Sequence, residues 1–363
     1  MLENIRDFLL STREARASKP EELLNEATLH TYFYSQFFKS HGMKFKGGSK
    51  LIDRVQALPA GSFGFYNPNQ EFAPRQRQTL RALEVPWAFS YVHYVLTDET
   101  SELNEGDDEK LVDFVMEQER SCHVDAANGI ETALWALPNV ETMENVGQED
   151  AREAYSIPAF ITRDGLAPSS TNGGVAAGTA DWTTVQQLNV AQNPWYQNQY
   201  SNYSAAAPDD PDDGLVGAFD DIVDDIQFEM PDGVKSYATD DNLQNHVIAT
   251  SRDGKSFYKA RLRQLNDRMD RLVDPKISGP QYEGIPIKRV SQLDEAGWTE
   301  GQPDYFFINM KYLVPWFHPK RFGQEKVETG GAKQPNATVV YKFYWYNLFR
   351  RSARRQGRVS AAA

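Results

Sequence analysis

The side chains best suited to chemistry are spread along the chain without the spacing that a reactive site needs. A helical metal site needs ligands on one face, and no two histidines lie four residues apart. Cys122 and His123 are adjacent, so they point to different faces of a helix. We therefore predict structural roles for the histidines, no metal site and no cofactor. The six are His30, His41, His93, His123, His246 and His318.

Acidic residues cluster twice, in the run Asp209–Asp213 and at Asp220, Asp221, Asp224 and Asp225. Neither cluster has the alternating ligands, central glycine and terminal glutamate of an EF-hand loop, so a solvated helix surface is favoured over a calcium site. The chain also has no GxSxG, no Walker loop and no dinucleotide-binding glycine motif after a strand. A catalytic pair of carboxylates, as in glycosidases, is the alternative to a chain without an active site that stays open.

The composition is that of a chain able to build a large core. Of 363 residues, 40% are hydrophobic, including 20 Phe, 17 Tyr and 7 Trp. A mean hydropathy of −0.60 without a long apolar run excludes a membrane span. The first twenty residues mix acids and bases and do not resemble a secretory signal. The single cysteine cannot form an intramolecular disulfide, which fits a reducing compartment.

The net charge of −13 disfavours a general nucleic-acid binder, because neutralising phosphates requires clustered Lys and Arg. The charge is also uneven. Acid concentrates in 98–113 and 209–232, and base concentrates in 350–358. We interpret these segments as solvated faces and a basic tail, which is favoured over a role in orienting the subunit.

Periodicity predicts an arm, a hairpin and a long helix in the first part of the chain. Residues 1–45 form the predicted arm. Within it, Ser18 caps a predicted helix whose apolar stripe must pack elsewhere in the chain or on a neighbour. Residues 46–100 place β-forming residues on both sides of a long polar turn, which predicts an extended hairpin. Residues 105–137 carry the strongest helical pattern, for a helix of roughly 45 Å.

The remainder of the chain alternates predicted helices and strands. Helices are predicted in LVGAFDDIVDDIQFEM and over 256–273, and strands over 246–250 and in GIPIKRV. A final strand is predicted in ATVVYKFYWYNLF, before the basic tail. This alternation predicts an α+β layered fold.

Five segments occur in an order that is typical of one family. Residues 87–129 contain YVHYVLTDETSELNEGDDEKLVDFVMEQERSCHVDAANG, and residues 181–204 are DWTTVQQLNVAQNPWYQNQYSNYS. GIPIKRVSQLDE and YFFINMKYLVPWFH follow, and NLFRRSARRQGRV ends the series. Over residues 25–358 this order resembles the tailed-bacteriophage major capsid proteins of the Hong Kong 97 fold.

The resemblance implies an α+β fold with an N-terminal arm, an extended β-hairpin loop (the E-loop), a long spine helix, and peripheral and axial domains. The implied boundaries are 1–45 for the arm, 46–100 for the E-loop, 101–231 for the peripheral domain with its spine helix at 106–137, 232–320 for the axial domain, and 321–363 for the return to the peripheral domain and the C-terminal tail.

The function that the resemblance implies is a non-enzymatic capsid protein that self-assembles into hexamers and pentamers of an icosahedral phage head enclosing double-stranded DNA. Scaffolding, portal and decoration or cement proteins are the expected partners, without sequence-specific DNA binding or membrane association. The expected location is the virion, after assembly in the host cytoplasm. The interface residues predicted for the arm and E-loop are Leu24, Leu29, Phe33, Phe37, Phe38, Phe63, Phe65, Tyr66, Phe72, Arg75, Arg77 and Arg81.

The chain departs from the family at the residues that cross-link its founding member, a loop lysine and a peripheral-domain asparagine. Here the loop tip carries Arg75 and Arg77, which cannot form that bond, while Lys46 and Lys50 lie at the loop base. Asn336 is a poor candidate for the partner. We therefore predict no autocatalytic cross-linking. A long charged leader is also missing before the arm, so we expect a separate scaffolding protein or a leader already removed.

Two alternatives to the phage capsid are open. An encapsulin-like nanocompartment shell has the same fold and would need a groove for a cargo peptide. A carboxylate-dependent hydrolase would need a monomer with a cleft, and it gives the arm and the long hairpin no role.

Overall fold

The described chain is organised around two large β-sheets and one long helix. None of the helices in the described ranges is long and apolar enough to cross a membrane. The structure, a computed structural model, describes residues 33, 43–44, 48, 50–56, 80–97, 108–136, 153–162, 184–189, 193–204, 214–227, 243–266, 280–294, 303–331 and 334–362.

A four-stranded sheet carries the two longest strands of the fold. These two strands form an antiparallel hairpin that starts at the pair Leu313 and Arg350. The later of these two strands, which contains Tyr341, also pairs antiparallel with the strand that contains His93, and Tyr341 lies opposite His93. In order across the sheet, the strands are β1 (Met43–Lys44), β12 (Leu313–Gly331), β13 (Gln334–Arg350) and β4 (Ala88–Thr97).

The long helix α1 (Asp108–Trp135) packs against β4. It is the helix predicted over 105–137, and at 28 residues it is about 42 Å long. Its buried positions recur every three or four residues, as expected for a helix with one face on a sheet. They include Val115, Cys122, Ala126, Ile130 and Leu134.

A six-stranded sheet forms the second layer, with two helices on one face. Phe219 of α3 (Leu215–Ile226) stacks on Tyr258 of α4 (Arg252–Asn266) at 5.8 Å between ring centroids, so the two helices are neighbours. In order across the sheet, the strands are β7 (Gln199–Tyr203), β14 (Gly357–Ala361), β11 (Tyr305–Asn309), β8 (His246–Thr250), β10 (Ile285–Arg289) and β9 (Gln281–Tyr282). The described chain also has the short helix α2 (Ile157–Phe160), the strand pair β5 (Thr184–Val185) and β6 (Leu188–Asn189), and the hairpin of β2 (Lys50–Gln56) and β3 (Leu80–Pro86). Three 3-10 helices, Pro194–Tyr196, Leu243–Asn245 and Ser291–Asp294, complete the described elements.

The mixture of helices and sheets confirms the predicted α+β class. The six-stranded sheet takes its outer strand β7 and its second strand β14 from outside the span 232–320 that was expected to build one domain. These strands pair in parallel along their whole length, from Gly357 opposite Gln199 to Ala361 opposite Tyr203. Two strands at one side of this sheet therefore come from parts of the chain that are distant in sequence from its other strands.

The interpretation of 350–358 as a solvated basic tail is wrong. Arg350, Arg355 and Arg358 are at most 8% exposed, and the segment leads into the buried strand β14. Their charges are accommodated locally: Arg358 Nη2 lies 2.8 Å from Asp304 Oδ2, and the guanidinium of Arg355 lies 4.4 Å from the ring centre of Tyr312. These arginines can be buried because a carboxylate and an aromatic ring contact them, and the local sequence of basic residues does not indicate these partners.

A substitution in α4 tests the close packing of that helix on β8. A Cβ at Gly254 would overlap Thr250 Oγ1, which donates to Asp304 O at 2.8 Å, and would lie 3.0 Å from Pro303 Cβ. We expect Gly254→Ala to lower the free energy of unfolding in urea by about 1–3 kcal/mol.

Gly129 is the matched control, because it also lies in a helix but a Cβ there would meet nothing within 4 Å. Gly129→Ala is expected to raise the free energy of unfolding by about 0.5–1 kcal/mol, since alanine loses less backbone entropy on folding. Equal stability of the two variants would show that α4 and β8 are packed less closely than described.

Candidate assembly surfaces

The hairpin of β2 and β3 has one buried and one exposed side. Its pairing runs from Lys50 opposite Pro86 to Gln56 opposite Leu80. Leu51 and Val85, near the start of the hairpin, are fully buried in the main core, whereas Leu80 at the outer end is 49% exposed. One side of the hairpin therefore packs on the core as far along as Leu83 and Val55, while its other side and its outer end are exposed.

Trp87 separates the hairpin from the four-stranded sheet. It follows β3 and precedes β4, and its indole Nε1 donates to Gly48 O at 2.9 Å. The ring is 4% exposed and forms an edge contact with His318 at 5.9 Å between centroids. This bond ties the chain entering the hairpin to the chain leaving it, which fixes where the hairpin departs from the sheet.

The structure describes two of the predicted interface residues. Arg81 lies in β3 with an exposed side chain. Phe33 is fully buried against Trp135 of α1, with ring centroids 5.0 Å apart, so its ring packs on its own subunit. That is one of the two outcomes left open for the arm, and the interface role of Phe33 stays a prediction. Outside the described residues lie Leu24, Leu29, Phe37, Phe38, Phe63, Phe65, Tyr66, Phe72, Arg75 and Arg77.

Alternate residues of β4 form an exposed apolar surface, which we call the outer stripe: Phe89, Tyr91, His93 and Val95. Phe89 is 47% exposed and Tyr91 is 61% exposed. Because side chains alternate along a strand, this face points away from α1, which covers the residues between them. Large apolar groups in a row on a monomer surface are typical of a protein contact. Sequence reasoning recognised the alternation but did not assign this face to an interface.

The covered side of the same sheet holds a buried ionic cluster. Lys342 of β13 is fully buried, and its Nζ lies 2.8 Å from Glu119 Oε1 of α1 and 3.2 Å from Glu325 Oε1 of β12. It also donates to His123 Nε2 at 3.0 Å. A buried ammonium is tolerated because carboxylates surround it, so this cluster specifies how α1 sits on the sheet.

Cys122 lies beside that cluster, in a small core with Tyr94 and Val340. It is 3% exposed, and burial raises the pKa of its thiol, while the positive charge of Lys342 lowers it. A buried, protonated thiol is a poor nucleophile. Cys122 therefore acts as a small apolar side chain that packs between α1 and the four-stranded sheet.

A groove of 390 Å³ lies between α1 and β4. Small residues of the helix, among them Gly129 and Ala133, form one wall, and Val92 of β4 lies on another. The carboxylates of Asp125 and Glu153 also line it. In the described ranges, no three His, Cys, Asp or Glu side chains are grouped to hold a metal ion. The groove is a mainly apolar surface with an acidic contribution.

The chain matches no protein-family model and no curated protein sequence. Its fold is similar to that of the cyanophage A-1(L) capsid protein, with a TM-score of 0.56 and 13% identity over 94% of this chain and 95% of that one. It is also similar to the capsid protein of the native GTA particle, with a TM-score of 0.50 and 10% identity over 95% of this chain and 94% of that one. The resemblance found in the sequence is thus confirmed for the fold.

Proposed function

We propose that this chain is a capsid subunit that self-assembles into hexamers and pentamers of an icosahedral shell around double-stranded DNA. The observation that carries the proposal is the shared fold, which covers at least 94% of this chain and of both capsid proteins. Shared fold alone does not specify function. The surfaces of this chain supply the second argument, because they suit assembly and not catalysis.

The hairpin and the outer stripe are the surfaces proposed to hold subunits together. Ile52 and Leu80 are large apolar residues on the exposed side and outer end of the hairpin, and a partner would remove them from water. The outer stripe offers Phe89 and Tyr91 on a rigid sheet. Together with the arm and E-loop residues predicted from the sequence, they would contribute to large contacts between copies of the chain.

The proposed division of the chain is the one implied by the resemblance: arm 1–45, E-loop 46–100, peripheral domain 101–231, axial domain 232–320 and return 321–363. The described hairpin of β2 and β3 supports an E-loop over 50–86, whereas β4, at the end of 46–100, pairs with β13 in the four-stranded sheet; α1 supports a spine helix. The proposed partners are scaffolding, portal and possible decoration or cement proteins, and the proposed location is the virion after assembly in the host cytoplasm.

The direct test is assembly. The expressed protein, alone and together with any scaffolding protein encoded beside it, is expected to form capsomers or closed shells in negative-stain electron microscopy. The physical reason is the exposed apolar area of the hairpin and outer stripe, which association removes from water.

A matched pair of variants connects assembly with the outer stripe. Tyr91→Ser, on the exposed face, is expected to reduce the assembled fraction without changing the monomer's unfolding midpoint. Ser90 points to the other side of β4 and donates to Tyr344 O at 3.2 Å, so Ser90→Ala serves as a nearby control with unchanged assembly. A wild-type protein that remains a stable monomer under every condition would contradict the proposed function.

A further inference from the structure

The four-stranded sheet ends at β4, and this edge is open in the described part of the chain. β4 is the last strand in the order β1, β12, β13 and β4, and among the described strands residues 88–92 pair only with β13. The sequence of β4, AFSYVHYVLT, contains no proline and no Lys, Arg, Asp or Glu. Such residues normally keep an edge strand from pairing with another chain. Nothing in β4 itself therefore opposes the addition of a further strand.

The backbone of Phe89 and Tyr91 faces this open edge. Ser90 Oγ donates to Tyr344 O at 3.2 Å, so the carbonyl group of Tyr344 points toward β4. Ser90 and Tyr344 lie opposite each other, and in an antiparallel ladder such a pair exchanges both of its backbone hydrogen bonds. The residues on either side then point their N–H and C=O groups to the other side of the strand. The polar backbone groups of Phe89 and Tyr91 are thus directed away from β13.

The groove of 390 Å³ between α1 and β4 runs along these backbone groups. Its β4 wall is formed by the consecutive residues 88–92. Because side chains alternate between the two faces of a strand, consecutive residues line a groove where it follows the edge of the strand. The facing wall is formed by α1 between Asp125 and Ala136. The β4 wall is about 14 Å long and the α1 wall about 17 Å, which is the length of about five residues in an extended chain.

The wall formed by α1 leaves room for the side chains of an added strand. Gly129 and Ala133 contribute small side chains to it, and a Cβ at Gly129 would meet nothing within 4 Å. Ile130 of α1 and Tyr346 of β13 add apolar surface. A strand beside β4 would direct every second side chain toward α1, so this wall favours apolar residues at alternate positions.

The charge on the groove is negative. Asp125 and Glu153 line it, and both are exposed. In the part of the chain that the structure describes, no basic side chain lies within ion-pair distance of Asp125. These acids favour a Lys or Arg on the occupant. They disfavour the β4 edge of a second copy, because that arrangement would bring the acids of two copies together.

We infer that the open edge of β4 binds an extended segment of a different protein, with apolar residues at alternate positions and a Lys or Arg beside Asp125. The segment adds a strand to the sheet. Hydrogen bonds with the backbone of Phe89 and Tyr91 provide affinity, and the wall of α1 and its acid select the sequence. The inference goes beyond the proposed capsid function, because it assigns a site for a separate polypeptide and not a contact between copies of the chain.

A defined peptide tests the site on the full-length protein. The probe is fluorescein-labelled KTVTVTK, in which two valines and both lysines share one face of an extended strand, so that a lysine can meet Asp125 in either strand direction. We expect saturable binding in fluorescence anisotropy and about tenfold weaker binding of ETVTVTE. Asp125→Asn is expected to weaken the binding of KTVTVTK about threefold, as for an exposed ion pair. An absence of saturable binding by KTVTVTK would overturn the inference.

Methylation of the peptide backbone distinguishes strand addition from other modes of binding. In an extended peptide, the N–H groups of successive residues point to opposite sides. Methyl groups on the third and fifth residues of KTVTVTK therefore face one side, and methyl groups on the second and fourth face the other. We expect one of these two methylated peptides to bind and the other to lose binding, because only one set of N–H groups faces β4. Equal binding by both, or loss of both, would contradict strand addition.

A matched pair of variants locates the binding in the groove. Ala133→Trp fills the space between α1 and β4, and the folded variant is expected to lose peptide binding. Ser121→Trp places the same ring at an exposed position of α1 outside the groove, and it is expected to bind the peptide as wild type does. Wild-type affinity in Ala133→Trp, or an equal loss in Ser121→Trp, would show that the peptide binds elsewhere.

The outcomes separate this inference from the capsid function. A wild type that forms shells but does not bind KTVTVTK contradicts the inference and leaves the capsid function in place. A wild type that binds the peptide but never assembles contradicts the function and leaves the inference in place. If Ala133→Trp stops assembly of the chain alone while Ser121→Trp assembles, the groove is occupied by a second copy, and the inference of a separate partner is wrong.

Discussion

Replacing Arg350 with alanine is expected to lower the free energy of unfolding by about 3–5 kcal/mol, as measured by urea denaturation of the unassembled subunit. Arg350 is fully buried where β13 ends and the chain crosses to the six-stranded sheet. Its guanidinium donates to the carbonyl oxygens of Phe160 and Tyr196, and it lies 4.5 Å from the ring centre of Tyr196. Alanine would leave a cavity and two buried carbonyls without these donors.

The neighbouring Arg351 is the matched control. It pairs with Asp53 at 2.8 Å, but its side chain is 35% exposed, so Arg351→Ala should cost no more than about 1 kcal/mol. Arg350→Lys separates charge from shape, because lysine keeps the positive charge but cannot donate to two carbonyls in a planar fork. We expect it to be nearly as destabilising as alanine. If Arg350→Ala and Arg351→Ala lower the free energy of unfolding equally, the buried contacts of Arg350 are not a major source of stability.

Helices and strands whose buried apolar residues recur at regular helical or strand spacing could be predicted from the sequence. The apolar positions of α1 recur at three and four residues, and the helix was found within three residues of its expected ends. Alternation in ATVVYKFYWYNLF predicted part of β13, and the run HVIAT predicted β8. In each case the signal is local, because one face of the element meets the core along its whole length.

Features that depend on residues distant in sequence could not be predicted. The basic segment before β14 appeared to be a tail, because nothing in a run of arginines reveals that Asp304, Phe306 and Tyr312 would surround it. The ion pair of Lys342 joins Glu119 across 223 positions.

Replacing Lys342 with methionine is the second change expected to have a large effect, a loss of about 3–5 kcal/mol in the free energy of unfolding at neutral pH. Methionine fills similar space but removes the cation between Glu119 and Glu325. The side chain of Glu119 is only 9% exposed, so its charge would be left buried without its ammonium partner. Adding Glu119→Leu should recover most of the loss, because a buried ion pair replaced by apolar residues of similar size is often as stable as the pair.

The thiol of Cys122 reports where the damage occurs. Loosening of α1 from the sheet in Lys342→Met would expose the thiol, and we expect its labelling by iodoacetamide to become faster than in wild type. The electrostatic effect of the substitution has the opposite sign: Lys342 lowers the pKa of Cys122, so its removal leaves less thiolate and slower labelling. Faster labelling can therefore come only from opening between helix and sheet. Slower labelling with unchanged stability would mean that Lys342 acts on the thiol without holding α1 in place.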